Sequence, residues 1–222
     1  MRRTKTEAEQ TRNSLLDAAE FVFWTKGVTR STLDEIAGKA GSTRGAIYHH
    51  FRGKADLLVA LLDRHRFPQQ NELARSPADA TIDAMTSLRT ICRSAFELLA
   101  TDPARQRLLG IMMHRCESLG DLQELADRRR EEILRSRDVF MRLLRRAAKS
   151  GQLSAAWPPR IAALTLHSVM IGLVDQWLRH PQSFDIRREG NECLQRLFDS
   201  FEGLAGTGPA VSETGTVTGR PK

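Results

Sequence analysis

A 222-residue chain that is 41% hydrophobic can bury a sizeable core, and it fits either one large helical domain or, as favoured here, a small domain joined to a larger one. Its 34 Lys and Arg against 27 Asp and Glu leave a net charge of +7, and residues 1–54 alone hold ten basic and six acidic side chains, so the excess that suits an anionic partner is N-terminal. Cys92, Cys116 and Cys193 are odd in number, widely spaced and without a CxxC, which argues against a disulfide framework and for a reducing, cytoplasmic setting.

Apolar residues recur at helical spacing almost throughout and nowhere alternate for long with a period of two, so the predicted fold is all-α. The first helix is capped by Thr6 with Glu9, or by Thr4 with Glu7; it buries Leu15, Leu16, Ala19, Val22 and Phe23 and stops at Gly27. Ser31 or Thr32 caps a short second helix, with Asp34 and Glu35 in the first turn where the helix dipole favours acids, and with Leu33, Ile36, Ala37 and Ala40 facing inward. Gly41 ends it. Only a tight turn separates Ala40 from Thr43, so the third helix must cross the second steeply, as in a helix-turn-helix. Phe51 to Lys54 breaks the third helix, and a fourth runs from about Ala55 toward Phe67, with Pro68 as a kink or an end. Ser76-Pro77, Asp102-Pro103 and Pro158-Pro159 mark starts, predicting helices near 77–101, 103–115, 119–150, 159–179 and 184–203. The charge run Asp127 to Glu132 reads as a solvated helix face. Ile161 to Val174 is an uncharged apolar stretch of 14 residues, which suits a buried helix better than a bilayer span of about 20. Residues 205–222 lack aromatic side chains, and their composition is expected to leave them disordered.

The segment Gly41 to Lys54 concentrates turn residues, a short helix and phosphate-binding side chains. A helix that reads DNA needs small residues where its backbone nears the duplex and donors aimed at base edges and phosphates. Thr43, Arg44, Gly45 and Ala46 supply both: Arg44 for bidentate pairing with guanine, Thr43 and Ala46 for a phosphate or a thymine methyl, and Gly45 for close approach. Tyr48, His49 and Lys54 are expected to clamp the DNA backbone, and Thr32 joins the set from the second helix. Ile47 and Phe51 anchor the helix in the core. No nucleophile-base-orienter set, glycine-rich phosphate loop or paired-carboxylate motif stands out, so no enzyme and no cofactor is expected. His114 with Cys116 lacks the four ligands of a structural zinc, so no metal is expected either.

Residues 7–62, with the run Leu33-Asp34-Glu35-Ile36-Ala37, then Thr43-Arg44-Gly45-Ala46-Ile47-Tyr48-His49-His50-Phe51 and Lys54, resemble the DNA-binding domain of TetR-type repressors. The opening Arg2-Arg3-Thr4-Lys5, Ala8 to Arg12, His114-Arg115-Cys116-Glu117, and Gly172-Leu173 followed by Trp177 resemble the AcrR/TtgR branch, whose members repress multidrug efflux genes. Two positions depart from the pattern. Relatives usually carry an apolar residue at Ser42 and a tryptophan or tyrosine at His49.

The resemblance implies a helix-turn-helix DNA-binding domain over 1–54, a ligand-binding and dimerisation domain over 55–204, and a tail over 205–222. It implies a homodimer paired through the last two long helices, which presents its recognition helices about 34 to 36 Å apart to a near-palindromic double-stranded operator. It further implies a cavity for a small-molecule inducer, with Phe67, Leu88, Ile91, Cys92, Met113, Phe140, His167, Met170, Ile171 and Val174 as candidate walls. That spacing is equally the spacing of an ordinary core. Asp175 and His114 are the polar candidates, and induction is expected to act by moving the fourth helix. The alternatives are a same-fold regulator sensing an endogenous metabolite such as an acyl thioester, and a DNA-binding protein without sequence preference; none of these readings involves a membrane.

Overall fold

Apolar residues at helical spacing form nine α-helices in the computed structural model, which describes residues 5–64, 83–115 and 123–204. No strand occurs among the described residues. The helices are α1 (Lys5–Lys26), α2 (Leu33–Lys39), α3 (Arg44–His50), α4 (Lys54–Arg64), α5 (Ala84–Thr101), α6 (Pro103–Gly110), α7 (Gln123–Lys149), α8 (Pro159–Arg179) and α9 (Asn191–Phe201). A π-helical turn, Ile111–Arg115, continues α6, and a second, Ile186–Gly190, leads into α9.

Boundaries follow local chemistry. Helix α1 (Lys5–Lys26) already includes Thr6, which therefore does not cap it, and the alternative cap Thr4 lies outside the described residues. Thr32, not Ser31, caps α2; the buried Ser31 hydroxyl instead donates to the Val28 carbonyl at 2.7 Å. Helix α5 begins at Ala84 because the Asp83 carboxylate accepts from the N–H groups of Met85 and Thr86, satisfying two orphan donors at once. Hydrogen bonds from Thr86 hold that carboxyl below its usual range. The expected start at Ser76-Pro77 lies outside the described residues, as do residues 205–222.

Two cores result. The first gathers Leu15, Leu16, Ala19, Phe23, Ile36, Ile47 and Phe51 with Leu57 to Leu61 of α4, and it also takes in Leu108, Ile111 and Met112. Helix α4 is therefore a wall of the N-terminal unit, whose apolar interior continues past the division expected after Lys54. The second core joins α5, α7, α8 and α9 through Leu88, Phe96, Phe140, Leu144, Leu166, Phe198 and Phe201.

Helix α8 is long and apolar enough, by length and composition alone, to cross a bilayer, yet only 28% of its apolar window is buried. Its Ala162, Ala163 and Leu166 pack inward, whereas Ile161, Leu164 and Ile171 are about half exposed along its outer face. The expectation of a buried helix is met on one side of α8 only.

Candidate nucleic-acid interface and effector region

The turn between α2 and α3 is fixed by its own backbone. Gly41 adopts φ 62°, a left-handed conformation that favours glycine, while the N–H groups of Gly41 and Ser42 return to the carbonyls of Gly38 and Ala37. Each helix start is locked from its side chain. Thr32 and Glu35 form a reciprocal capping box, and Lys26 grips Glu35 at 2.5 Å. That contact, with the Thr32 hydrogen bonds, lowers the Glu35 pKa. The Thr43 hydroxyl accepts from the Ala46 N–H at 3.2 Å.

Helix α3 then buries Ile47 alone, with Phe51 just beyond it, and turns Thr43, Arg44, Gly45, Tyr48 and His49 to solvent. Arg44 rests on Asp34 at 3.1 Å, with its guanidinium over the Tyr48 ring. Both members of this ion pair are exposed, so it contributes at most about 1 kcal/mol and is readily exchanged for a stronger acceptor. Gly45 has no strained φ, and a Cβ there would meet nothing closer than the Thr43 hydroxyl at 4.0 Å. Gly45→Ala should therefore leave the thermal midpoint unchanged or slightly raised and weaken operator binding several-fold, since only a close-lying partner surface needs that hydrogen. Unchanged DNA affinity by gel shift would remove Gly45 from the interface.

Lys54 requires a correction. Expected to clamp the DNA backbone, its ammonium instead donates to the carbonyls of Val28, Thr29 and Ser31 at 2.8, 2.9 and 3.0 Å. An ammonium has three N–H donors, and all three are engaged on the α1–α2 connection. In this structure Lys54 organises the reading head from behind.

Behind the head lies a joint that the sequence did not signal. Glu20, buried on α1, pairs with Arg107 of α6 at 2.6 Å, and the Val28 N–H donates to the Arg115 carbonyl at 3.1 Å. Gly110 lies so close to Trp24 that a Cβ would fall 2.3 Å from Cζ3, and the Arg115 guanidinium covers the same indole. The π-helical turn is shared between the two cores: Ile111 and Met112 enter the first, and Met113 packs against the second. One-turn π segments often occur at functional sites.

Among the expected cavity residues, Leu88, Cys92 and Phe140 are buried in the second core, with Ile91, Met113, Met170 and Val174 packed at its edge. Burial pushes the Cys92 thiol up to about 12, so it stays a protonated, apolar wall. Phe67 lies outside the described residues. Ile171 needs correction: it is 44% exposed on the outer face of α8 and lines no interior space, because the helical period carries it onto the stripe of Ile161 and Leu164. His114 and Asp175, proposed singly, are brought together at 3.6 Å. Arg179 holds the Asp175 carboxyl down by a hydrogen bond, assisted by the charges of Arg179 and His114.

His167 sits edge-on to Phe140, half-buried, and its pKa is lowered first by burial and then by the charge of Arg137. A base with a lowered folded pKa makes the unfolded chain bind protons first, so stability falls as pH drops from the ordinary histidine value, about 6.5, through the lowered one. The denaturant midpoint of the wild type should decline over that window more steeply than that of His167→Gln. Parallel curves would show that His167 does not report on folding.

Comparison with known proteins places this geometry among relatives. The family profile of bacterial regulatory proteins, tetR family, matches residues 15–61, and the profile of MAATS-type transcriptional repressors, C-terminal region, matches residues 83–202. The chain is 36% identical to the HTH-type transcriptional repressor BepR of Brucella suis biovar 1, over 92% of this chain and 98% of that protein. It superposes with TM-score 0.81 on NalD, the secondary repressor of the MexAB-OprM multidrug efflux pump in Pseudomonas aeruginosa, at 34% identity over 89% of this chain and 98% of NalD. SmeT in complex with triclosan matches at TM-score 0.75 and 31% identity, over 96% and 99% of the two chains; SmeT is the repressor of the Stenotrophomonas maltophilia efflux pump SmeDEF.

Proposed function

This chain is a member of the TetR family of bacterial transcriptional regulators, and from that premise we propose that it represses a multidrug efflux operon from the cytoplasm, binding a near-palindromic operator as a homodimer that small apolar or amphipathic ligands release. The exposed face of α3 carries the DNA-binding part. Seven residues pinned by Thr43 and Ile47 present Arg44, Gly45, Tyr48 and His49 outward, with one weak surface pair to break before Arg44 engages a base. Dimerisation draws on α8, whose Ile161, Leu164 and Ile171 form a stripe that a second copy covers. The efflux assignment draws on NalD and SmeT, and the triclosan complex of SmeT supports a small apolar effector.

Effector binding at the edge of the second core reaches the head by two routes. Helix α4 belongs to the head's own core, and the turn Ile111–Arg115 links Met113 to the Val28 backbone. A ligand shifts DNA affinity only by its differential affinity for the two states, typically about 1 to 3 kcal/mol of coupling.

Selection of bound genomic fragments with the purified protein, repeated with efflux substrates present, tests the whole proposal. One enriched near-palindrome beside a transporter operon, lost on adding substrate, is the expected result; no enriched sequence would reduce the protein to a non-specific binder. On the selected operator, Arg44→Ala should cost about 1 to 3 kcal/mol and relax preference at one base pair per half-site. Retained affinity and specificity would assign base reading to another side chain.

A further inference from the structure

The carbonyl end of a recognition helix carries partial negative charge, so a phosphate that flanks it needs an intervening cation. Lys54 is not that cation, because its three donors are engaged on the α1–α2 connection. Arg12 stands at the same end. It projects from α1, yet its guanidinium lies 5.3 Å from the centre of the Phe51 ring, and Phe51 is the residue that closes α3. That ring is only 2% exposed, which makes it a fixed platform. The His50 ring tilts against the same platform at 6.3 Å, and His49 meets His50 edge-on at 5.2 Å, so two imidazoles and a guanidinium gather where α3 ends. Lys26 and Arg44 of the head are held by Glu35 and Asp34. Arg12, by contrast, is exposed and has no ion pair or side-chain hydrogen bond among the described residues, so its planar fork of N–H donors keeps its capacity for bidentate pairing with phosphate oxygens.

We propose that Arg12 is a DNA-backbone contact, which binds the phosphate flanking the C-terminal end of α3 and is positioned for it by Phe51. The proposal rests on the reading of α3 as the recognition helix. Phe51 belongs at once to the first core and to the end of α3, so a contact supplied by α1 moves with the reading head as one unit. Arg44 at the start of α3 meets a base, Arg12 at its end meets the backbone, and the two together fix the register of the helix along the groove. Dimerisation does not cover this site, because Arg12 belongs to the head and the stripe assigned to the second copy is on α8.

A salt series of DNA binding by the full-length wild type, R12Q and R12K, on the selected operator and on an unrelated duplex, tests the contact. A phosphate carries no sequence information. R12Q should therefore weaken both duplexes by the same factor, about three- to tenfold near 0.1 M salt, and lower the salt slope by about 0.9 for each half-site. R12K keeps the charge, so it should retain the wild-type slope with affinity reduced only a few-fold. Ethylation interference on the operator should show one sensitive phosphate fewer per half-site in R12Q than in the wild type. The thermal midpoint of R12Q should fall by no more than about 4 °C, since an exposed cation–π contact is a small part of the stability. A wild-type salt slope in R12Q, whether or not the midpoint has moved, would overturn the proposal and leave Arg12 as packing for Phe51. R12K with the slope of R12Q would overturn it too, as would a loss confined to the operator, which would make Arg12 a base reader. The unrelated duplex keeps this outcome separate from the proposed function: a protein that selects no operator would fail as a sequence-specific repressor, and the backbone contact would still be measured by its slope.

Discussion

Replacing Lys54 with alanine should unfold the reading head more readily by about 2 to 4 kcal/mol, and DNA binding should fail as a consequence of that loss. Three carbonyls, those of Val28, Thr29 and Ser31, lose their donor together. Hydrogen bonds involving a charged partner contribute about 1.5 to 3 kcal/mol each, and water entering the vacated space recovers part of the total. The carbonyls of Val28 and Ser31 are in partly shielded positions, where that recovery is incomplete. Against a domain stability of about 5 to 15 kcal/mol, the change is large. A side chain that clamped a phosphate would behave otherwise. Lys54→Ala would then leave urea denaturation unchanged and lower the salt slope of operator binding by about 0.9. Denaturation and salt titration of the same variant therefore distinguish a positioning lysine from a contacting one.

What the sequence made legible about the head was local. The capping box of Thr32 with Glu35, the stop at Gly41 and the cap at Thr43 each act within four residues, so composition and spacing reveal them. Helix α8 was legible as an element for the same reason: Pro159 opens it, and its apolar run is continuous. Its surroundings were not. A helix apolar on several faces reads the same whether a neighbour in its own chain or a second copy covers each face, and so Ile171 was assigned to the interior although it lies outside.

The fate of Lys54 was hidden for a different reason. A basic residue after a recognition helix suits a phosphate as well as three carbonyls some 25 positions earlier in the chain, and only folding brings those carbonyls within reach. The π-helical turns were equally silent, because a one-residue change of hydrogen-bond register leaves composition and approximate period unaltered. The contact of Gly110 with Trp24 pairs residues 86 positions apart; a glycine near the end of a helix reads as an ordinary terminus.

That contact supports the second large effect. Gly110→Ala should lower stability and also disturb operator affinity, although alanine is the better helix former by about 1 kcal/mol. The new Cβ would stand 2.3 Å from Cζ3 and 3.0 Å from Cη2 of Trp24, far inside contact distance, and the indole is also covered by Arg115. Overpacking of this kind costs about 1 to 3 kcal/mol, and relief requires α1 to move away from α6. Such a movement strains the Glu20–Arg107 pair and the Val28–Arg115 hydrogen bond, both of which hold the head to the turn Ile111–Arg115. The head should then sit differently on the effector domain before any ligand arrives, with operator affinity reduced and the ligand-induced change smaller. A double-mutant cycle isolates the cause. Trp24→Leu removes the ring that clashes, so Gly110→Ala should cost at least about 1 kcal/mol less in that background than in the wild type. If instead Gly110→Ala keeps wild-type stability and a full ligand response, the joint is compliant, and coupling between the two cores must run through α4 alone.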